Sequence, residues 1–132
     1  VVDSKSQIVR IDDKDILLVP WMHNMNDILD TFQENEADIL MGHFDITGFN
    51  FNKWVLSKES MSPDYFVGRY DLVFSGHFHT RTVKQIKGTE FVYVGSPYQM
   101  TRADMDEERG FVLLNVEKMK YKYSLYITYI YI

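Results

Sequence analysis

The chain contains no cysteine, only three prolines and seven glycines, and just four histidines among 132 residues. Without cysteine it has neither disulfides nor thiolate chemistry, which permits a reducing compartment. No apolar run is long enough for a membrane span, and the opening residues do not read as a signal peptide, so the expected location is cytoplasmic. Positive charge is also short. Fourteen Lys and Arg against nineteen Asp and Glu leave a net charge of -5, whereas a free-standing DNA binder carries a basic face. Affinity for DNA would have to come from local lysines and arginines, bound metal or partners. What the chain does hold is apolar mass: 45% hydrophobic and 15% aromatic residues, enough for one core. No internal repeat or low-complexity linker divides it, so residues 1–132 read as one domain.

Two stretches end alike: Asp38-Ile39-Leu40-Met41-Gly42-His43-Phe44 and Asp71-Leu72-Val73-Phe74-Ser75-Gly76-His77-Phe78-His79. Each reads as a strand buried on both faces that stops at a glycine and then presents a histidine. Ligands of open α/β sheets gather outside the carboxyl ends of the strands, where these side chains would sit. Adjacent strands lie about 4.8 Å apart, so imidazoles leaving two of them can meet on one ion. In extended backbone His77 and His79 leave the same side, about 7 Å apart. That offset lets one serve the shared ion and the other serve a second ion about 3.5–4 Å away. Glycines 42 and 76 would allow tight turns or positive φ where a ligand approaches. Neutral imidazole suits zinc, manganese, iron and nickel alike, so the histidines alone do not choose the metal. His23, isolated in Pro20-Trp21-Met22-His23, reads as a hydrogen-bonded surface residue.

Around these motifs the pattern predicts an α/β fold. Gln7–Ile11 and Ile16–Val19 form a hairpin about Asp12-Asp13-Lys14-Asp15. Asn24 or Asn26 caps a helix to about Glu34. Strands follow at Ile39–Met41 and Leu72–Ser75. The crossover between them holds a looser Ile46–Asn52, a helix at Lys53–Lys58 and a short helix from Ser62-Pro63 to about Val67. Thr82–Ile86 and Glu90–Val94 flank the turn Lys87-Gly88. Phe111–Val116 and Tyr121–Ile132 make a last antiparallel pair, and Gln99–Glu108, with its acidic cluster, reads as a solvated loop. The tail strand becomes apolar on both faces near its end, which predicts burial or pairing with another copy.

The ordered series Gly42-His43, Gly76-His77-Phe78-His79 and Gly95-Ser96-Pro97, followed by Arg109-Gly110-Phe111, resembles the calcineurin-like metallophosphoesterases. Within them it is most similar to the SbcD-type DNA repair nucleases, and especially to their T-even phage recombination members. The likeness runs from about Gln7 to Val116. It implies a partial metallophosphoesterase fold of the α+β sandwich type, with mixed β-sheets and flanking helices. It implies phosphodiester hydrolysis at DNA ends by two manganese ions, in partnership with an ATPase subunit of the SbcC/Rad type. By that analogy His43 and His77 serve one ion and His79 the other. Asp45 is a candidate acceptor behind a ligand histidine, and Arg81 a candidate DNA-phosphate contact, each with a plain structural alternative: a turn, and a surface ion pair. The family's Asp-x-His motif, bridging aspartate and Asn-His pair have no counterpart in this sequence; Asn24 follows His23 in the reverse order. The resemblance therefore implies the second half of a phosphoesterase domain, with the general-acid histidine outside it and no catalytic residue within it. An uncovered surface would favour self-association, and a phage-encoded chain would act in the host cytoplasm. Two alternatives stand beside this reading: a phosphoesterase acting on a nucleotide or phosphoprotein, and a non-catalytic assembly module that keeps the fold.

Overall fold

The computed structural model describes residues 5–126. Along them run β1 (Gln7–Ile11), β2 (Lys14–Leu18), α1 (Met25–Glu34), β3 (Ile39–Gly42), β4 (Asn50–Asn52) and β5 (Val55–Leu56). Then follow β6 (Leu72–Ser75), β7 (Thr82–Ile86), β8 (Thr89–Tyr93), β9 (Gly110–Asn115) and β10 (Lys120–Leu125). Six strands form the main sheet in the order β1-β2-β3-β6-β8-β7. Its four central strands are parallel, aligned through Ile16, Ile39, Leu72 and Glu90. The outer two, β1 and β7, join antiparallel as hairpin arms.

Alternation along the central strands explains why both faces are covered. Leu17, Leu40, Val73 and Phe91 point to one side, where Ile28 and Phe32 of α1 pack with Phe44, Phe49 and Phe66 of the crossover. Ile16, Ile39, Leu72 and Val92 point to the other, where β9 and β10 lay down Val112, Leu114 and Tyr121. The fold class is mixed α/β, as the sequence predicts. After the double histidine the antiparallel pairs β7–β8 and β9–β10 appear as expected, but β8 also continues the parallel sheet beside β6, which the sequence did not foresee. Asn24 is the helix cap, its side chain accepting from Asn26 N at 2.9 Å. Asp12 and Asp13 take positive φ, 48° and 61°, as a two-residue hairpin turn requires.

Three expectations fail. Lys53–Lys58 is not a helix: Asn52 Oδ1 accepts from Trp54 N and Val55 N, at 2.9 and 3.0 Å, and folds the chain into the β4–β5 hairpin. The Ser62–Val67 helix shortens to one 3-10 turn at Pro63–Tyr65, so the crossover carries no α-helix. Gln99–Glu108 is not solvated throughout, because a 3-10 turn at Arg102–Asp104 buries Ala103 and Asp104. The final strand is described to Leu125; the remainder of the predicted Tyr121–Ile132 strand, 127–132, lies outside the described residues.

Candidate metal centre

Because β3 and β6 are parallel neighbours with Gly42 opposite Ser75, the residues that follow both leave one edge of the sheet. Gly76 N donates to Gly42 O at 3.0 Å, which carries the ladder one step beyond the strands. His43 Nε2 then lies 3.3 Å from His77 Nδ1. The two glycines supply space rather than positive φ. A Cβ on Gly76 would sit 2.9 Å from His43 Nδ1, and one on Gly42 would sit 2.3 Å from the Phe44 ring. The left-handed residue is His77 itself, with φ 81°. A non-glycine residue held there costs about 1–3 kcal/mol, a strain that concentrates at functional sites. The backbone is therefore not extended at His77, and the alternation expected between His77 and His79 does not hold.

Phe78 is buried between the two histidines and stacks on Tyr93 at 4.5 Å between centroids. His79 is turned to a different partner: its Nδ1 is 3.2 Å from each oxygen of Asp104. The His79 backbone is clamped as well. Its N–H donates to Phe51 O at 3.1 Å, and its carbonyl accepts from Ser96 N at 3.1 Å and from the Arg109 guanidinium. Gly95, at φ 77°, lets the chain pass there, since a Cβ would come within 3.0 Å of His79 O. The Gly-Ser-Pro segment is thus a brace for the double-histidine loop. Arg109 ties it further, donating to Ser96 Oγ at 2.8 Å, Asp104 O at 3.1 Å and Glu107 at 2.7 Å.

Burial first, and then the neighbouring His77, pull the His43 imidazole below its ordinary pKa and favour the neutral, metal-ligating form. Burial alone would raise the Asp104 carboxyl. The Thr101 N–H and hydroxyl, the Met100 N–H and the charge of His79 together hold it below the usual carboxylate range. Trp21, which the sequence did not single out, stacks on His77 at 5.5 Å and meets His43 edge-on at 5.2 Å. His43, His77 and His79 line one cleft of about 470 Å³ with Phe51, Ser96 and Met100. A cleft of about 600 Å³ bounded by Asp15, Asp38 and Arg69 holds no histidine and lies at the opposite end of the strands.

The remaining candidates sit elsewhere. Asp45 accepts from Ser57 Oγ at 2.7 Å and stands behind no histidine, so its side chain fastens the crossover. The Arg81 guanidinium lies over the Tyr123 ring at 4.1 Å, which gives it a structural role the sequence did not foresee. His23 is exposed and touches the Trp21 edge at 5.9 Å.

The His43–His77 pair fits a metal ion. Two nitrogens about 2.05 Å from a tetrahedral ion are separated by about 3.3 Å, the distance found. Without an ion, the same pair satisfies itself with one N–H···N hydrogen bond. The set is only part of a site, since among the described residues no three or more His, Cys, Asp or Glu side chains are grouped to hold an ion.

No protein-family model matches the chain. It is 34% identical over 118 residues, 88% of its length, to exonuclease subunit 1 of enterobacteria phage T4. The chain spans about a third of that relative's length, 33%. It also overlays on a solved archaeal phosphodiesterase with TM-score 0.43 and 15% identity, over 92% of this chain and 50% of the other. Among the described residues no helix is long and apolar enough to cross a membrane.

Proposed function

We propose that the chain belongs to the SbcD-type metallophosphoesterases, a reading supported by its 34% identity to the phage exonuclease subunit, and that it forms part of a divalent-metal-dependent nuclease acting on DNA ends. The observation that carries this reading is the 3.3 Å approach of His43 Nε2 to His77 Nδ1 at the carboxyl edge of two parallel strands. His43 and His77 would hold one manganese ion, and His79 would serve a second. When bound, such ions lower the pKa of a coordinated water and neutralise charge building on the phosphate. The chain's own residues prepare the site. Burial and the neighbouring His77 bias His43 toward its neutral form, Trp21 covers one side of the imidazole pair, and the Ser96–Arg109 brace fixes the loop that carries His79.

The other ligands of a two-metal site, and the general acid, would come from outside these 132 residues. The phage relative is named as a subunit, which supports a working partner; an ATPase subunit is the proposed one, with the host cytoplasm as the place of action. Among the described residues only two donors converge, which favours a second reading, an assembly module without catalysis. Calorimetry with Mn2+ on this chain and on His77→Ala separates them. Binding that the substitution abolishes supports the metal-site reading. Absence of binding to the unsubstituted chain, alone and joined to the segments that its relative possesses, refutes it.

A further inference from the structure

The acidic run Asp104-Met105-Asp106-Glu107-Glu108 contains one residue unlike its neighbours. Asp104 is fully buried, while Met105, Asp106 and Glu108 are exposed and Glu107 is half-buried. Its two oxygens are unequally occupied. Oδ2 accepts from Thr101 N at 2.7 Å, Met100 N at 3.0 Å and Thr101 Oγ1 at 3.0 Å. His79 Nδ1 lies 3.2 Å from both oxygens, and Oδ1, which takes none of those three donors, is left to it and to the Arg109 guanidinium at 3.4 Å. Every group around this carboxylate other than His79 is an obligate donor or a hydroxyl already directed at Oδ2. Arg109 is in turn fixed by Glu107 and by the Ser96 hydroxyl, so the acceptor is held from both sides.

We propose that Asp104 is a positioning residue that fixes the proton of His79 on Nδ1 and so leaves the Nε2 electron pair free to take a divalent cation. The inference rests on the reading of His79 as a ligand, though its first test does not. A carboxylate has no proton to donate, so His79 must donate to it, and the tautomer follows. Metal-ligating histidines are regularly held in this way by a carboxylate on the other ring nitrogen. Arg109 neutralises the buried charge that this arrangement requires.

The isosteric substitution Asp104→Asn makes the inference sharp. Thr101 and Met100 present three donors to the Oδ2 position, so the amide oxygen must settle there. The amide NH2 then takes the Oδ1 position, against both His79 Nδ1 and the Arg109 guanidinium, which disfavours a proton on Nδ1 and shifts the ring toward the Nε2–H tautomer. The experiment is nitrogen-15 NMR of the histidine rings in the metal-free chain, well above the ordinary imidazole pKa of about 6.5. The expected result is an Nδ1–H tautomer at His79 in the unsubstituted chain and an Nε2–H tautomer in Asp104→Asn. An Nε2–H tautomer in the unsubstituted chain overturns the proposal without any variant, as does an Nδ1–H tautomer that survives in a folded Asp104→Asn. Adding Zn2+ tests the metal reading separately. If the His79 ring takes up the ion, Asp104→Asn lowers that affinity about 10–100-fold, and unchanged affinity overturns the positioning role. If no ring responds to Zn2+, the ligand reading fails while the tautomer result still decides the role of Asp104.

Discussion

Tyr93→Phe removes one oxygen atom from the core and should cost about 2–3 kcal/mol. The Tyr93 hydroxyl donates to Phe44 O at 2.8 Å and accepts from Ile46 N at 3.1 Å, which shapes the chain directly after His43. Phe44 O keeps a weak second partner, the Ser75 hydroxyl at 3.4 Å. Ile46 N keeps none among the described residues, and Ile46 is fully buried. An orphaned buried N–H costs about 1–3 kcal/mol, and loss of the partly compensated bond to Phe44 adds about 0.5–1 kcal/mol. Apolar packing is unchanged, because the ring and its stack on Phe78 remain. For a domain of this size each kcal/mol moves the melting midpoint by about 4 °C, so the shift should be about 8–12 °C. Urea unfolding followed by circular dichroism reads the effect directly, with an unchanged m-value showing that the same surface is exposed. A loss below about 0.5 kcal/mol would refute the reasoning, since it would mean that Ile46 N is not stranded when the hydroxyl goes.

The remaining predictions concern pH and space. Burial pushes Tyr70 up to about 12, and burial with the adjacent Glu90 pushes Tyr121 up to about 12. Their unfolded values lie near 10. A folded pKa above the unfolded one means that the stabilisation is complete below pH ~10 and is lost as pH rises from there through about 12. Unfolding free energy measured against pH should fall across that window, and a flat profile would contradict the burial of both phenols. Since the Tyr70 hydroxyl is buried without a partner among the described residues, Tyr70→Phe should stabilise the neutral protein by about 1 kcal/mol and make the alkaline fall shallower. Gly42→Ala would place a methyl 2.3 Å from the Phe44 ring. It should destabilise by about 1–3 kcal/mol, and Phe44→Leu in the same chain should recover part of that loss in a double-mutant cycle.

Legibility in the sequence followed the range of the interactions. Runs such as Ile39–Met41 and Leu72–Ser75 announced buried parallel strands because both faces must be apolar, and the Asp12-Asp13 and Lys87-Gly88 turns announced hairpins through local backbone chemistry. The meeting of His43 with His77 followed from strand adjacency alone. Lys53–Lys58 misled because the Asx turn of Asn52 and the pairing of Asn50 with Leu56 override a short segment with no helical stripe of its own. Asp104 was hidden for a different reason. Nothing in a run of acids distinguishes the one that an arginine five residues on and a histidine 25 residues away pull into the interior. Trp21 was likewise invisible, since its place over His77 depends on three strands packing side by side. Arg81 and Asp45 lay at plausible spacing from the motifs, but their side chains found Tyr123 and Ser57 first.

The central claim is that His43 and His77 belong to one ion, and the direct test is Mn2+ affinity in His43→Ala, His77→Ala and the double variant. If the two imidazoles share an ion, each single substitution removes nearly all of the binding and the double variant loses no more than the worse single one. Two independent losses that add, with one site's stoichiometry surviving in each single variant, would show that the 3.3 Å pair is a hydrogen bond and not half of a metal site.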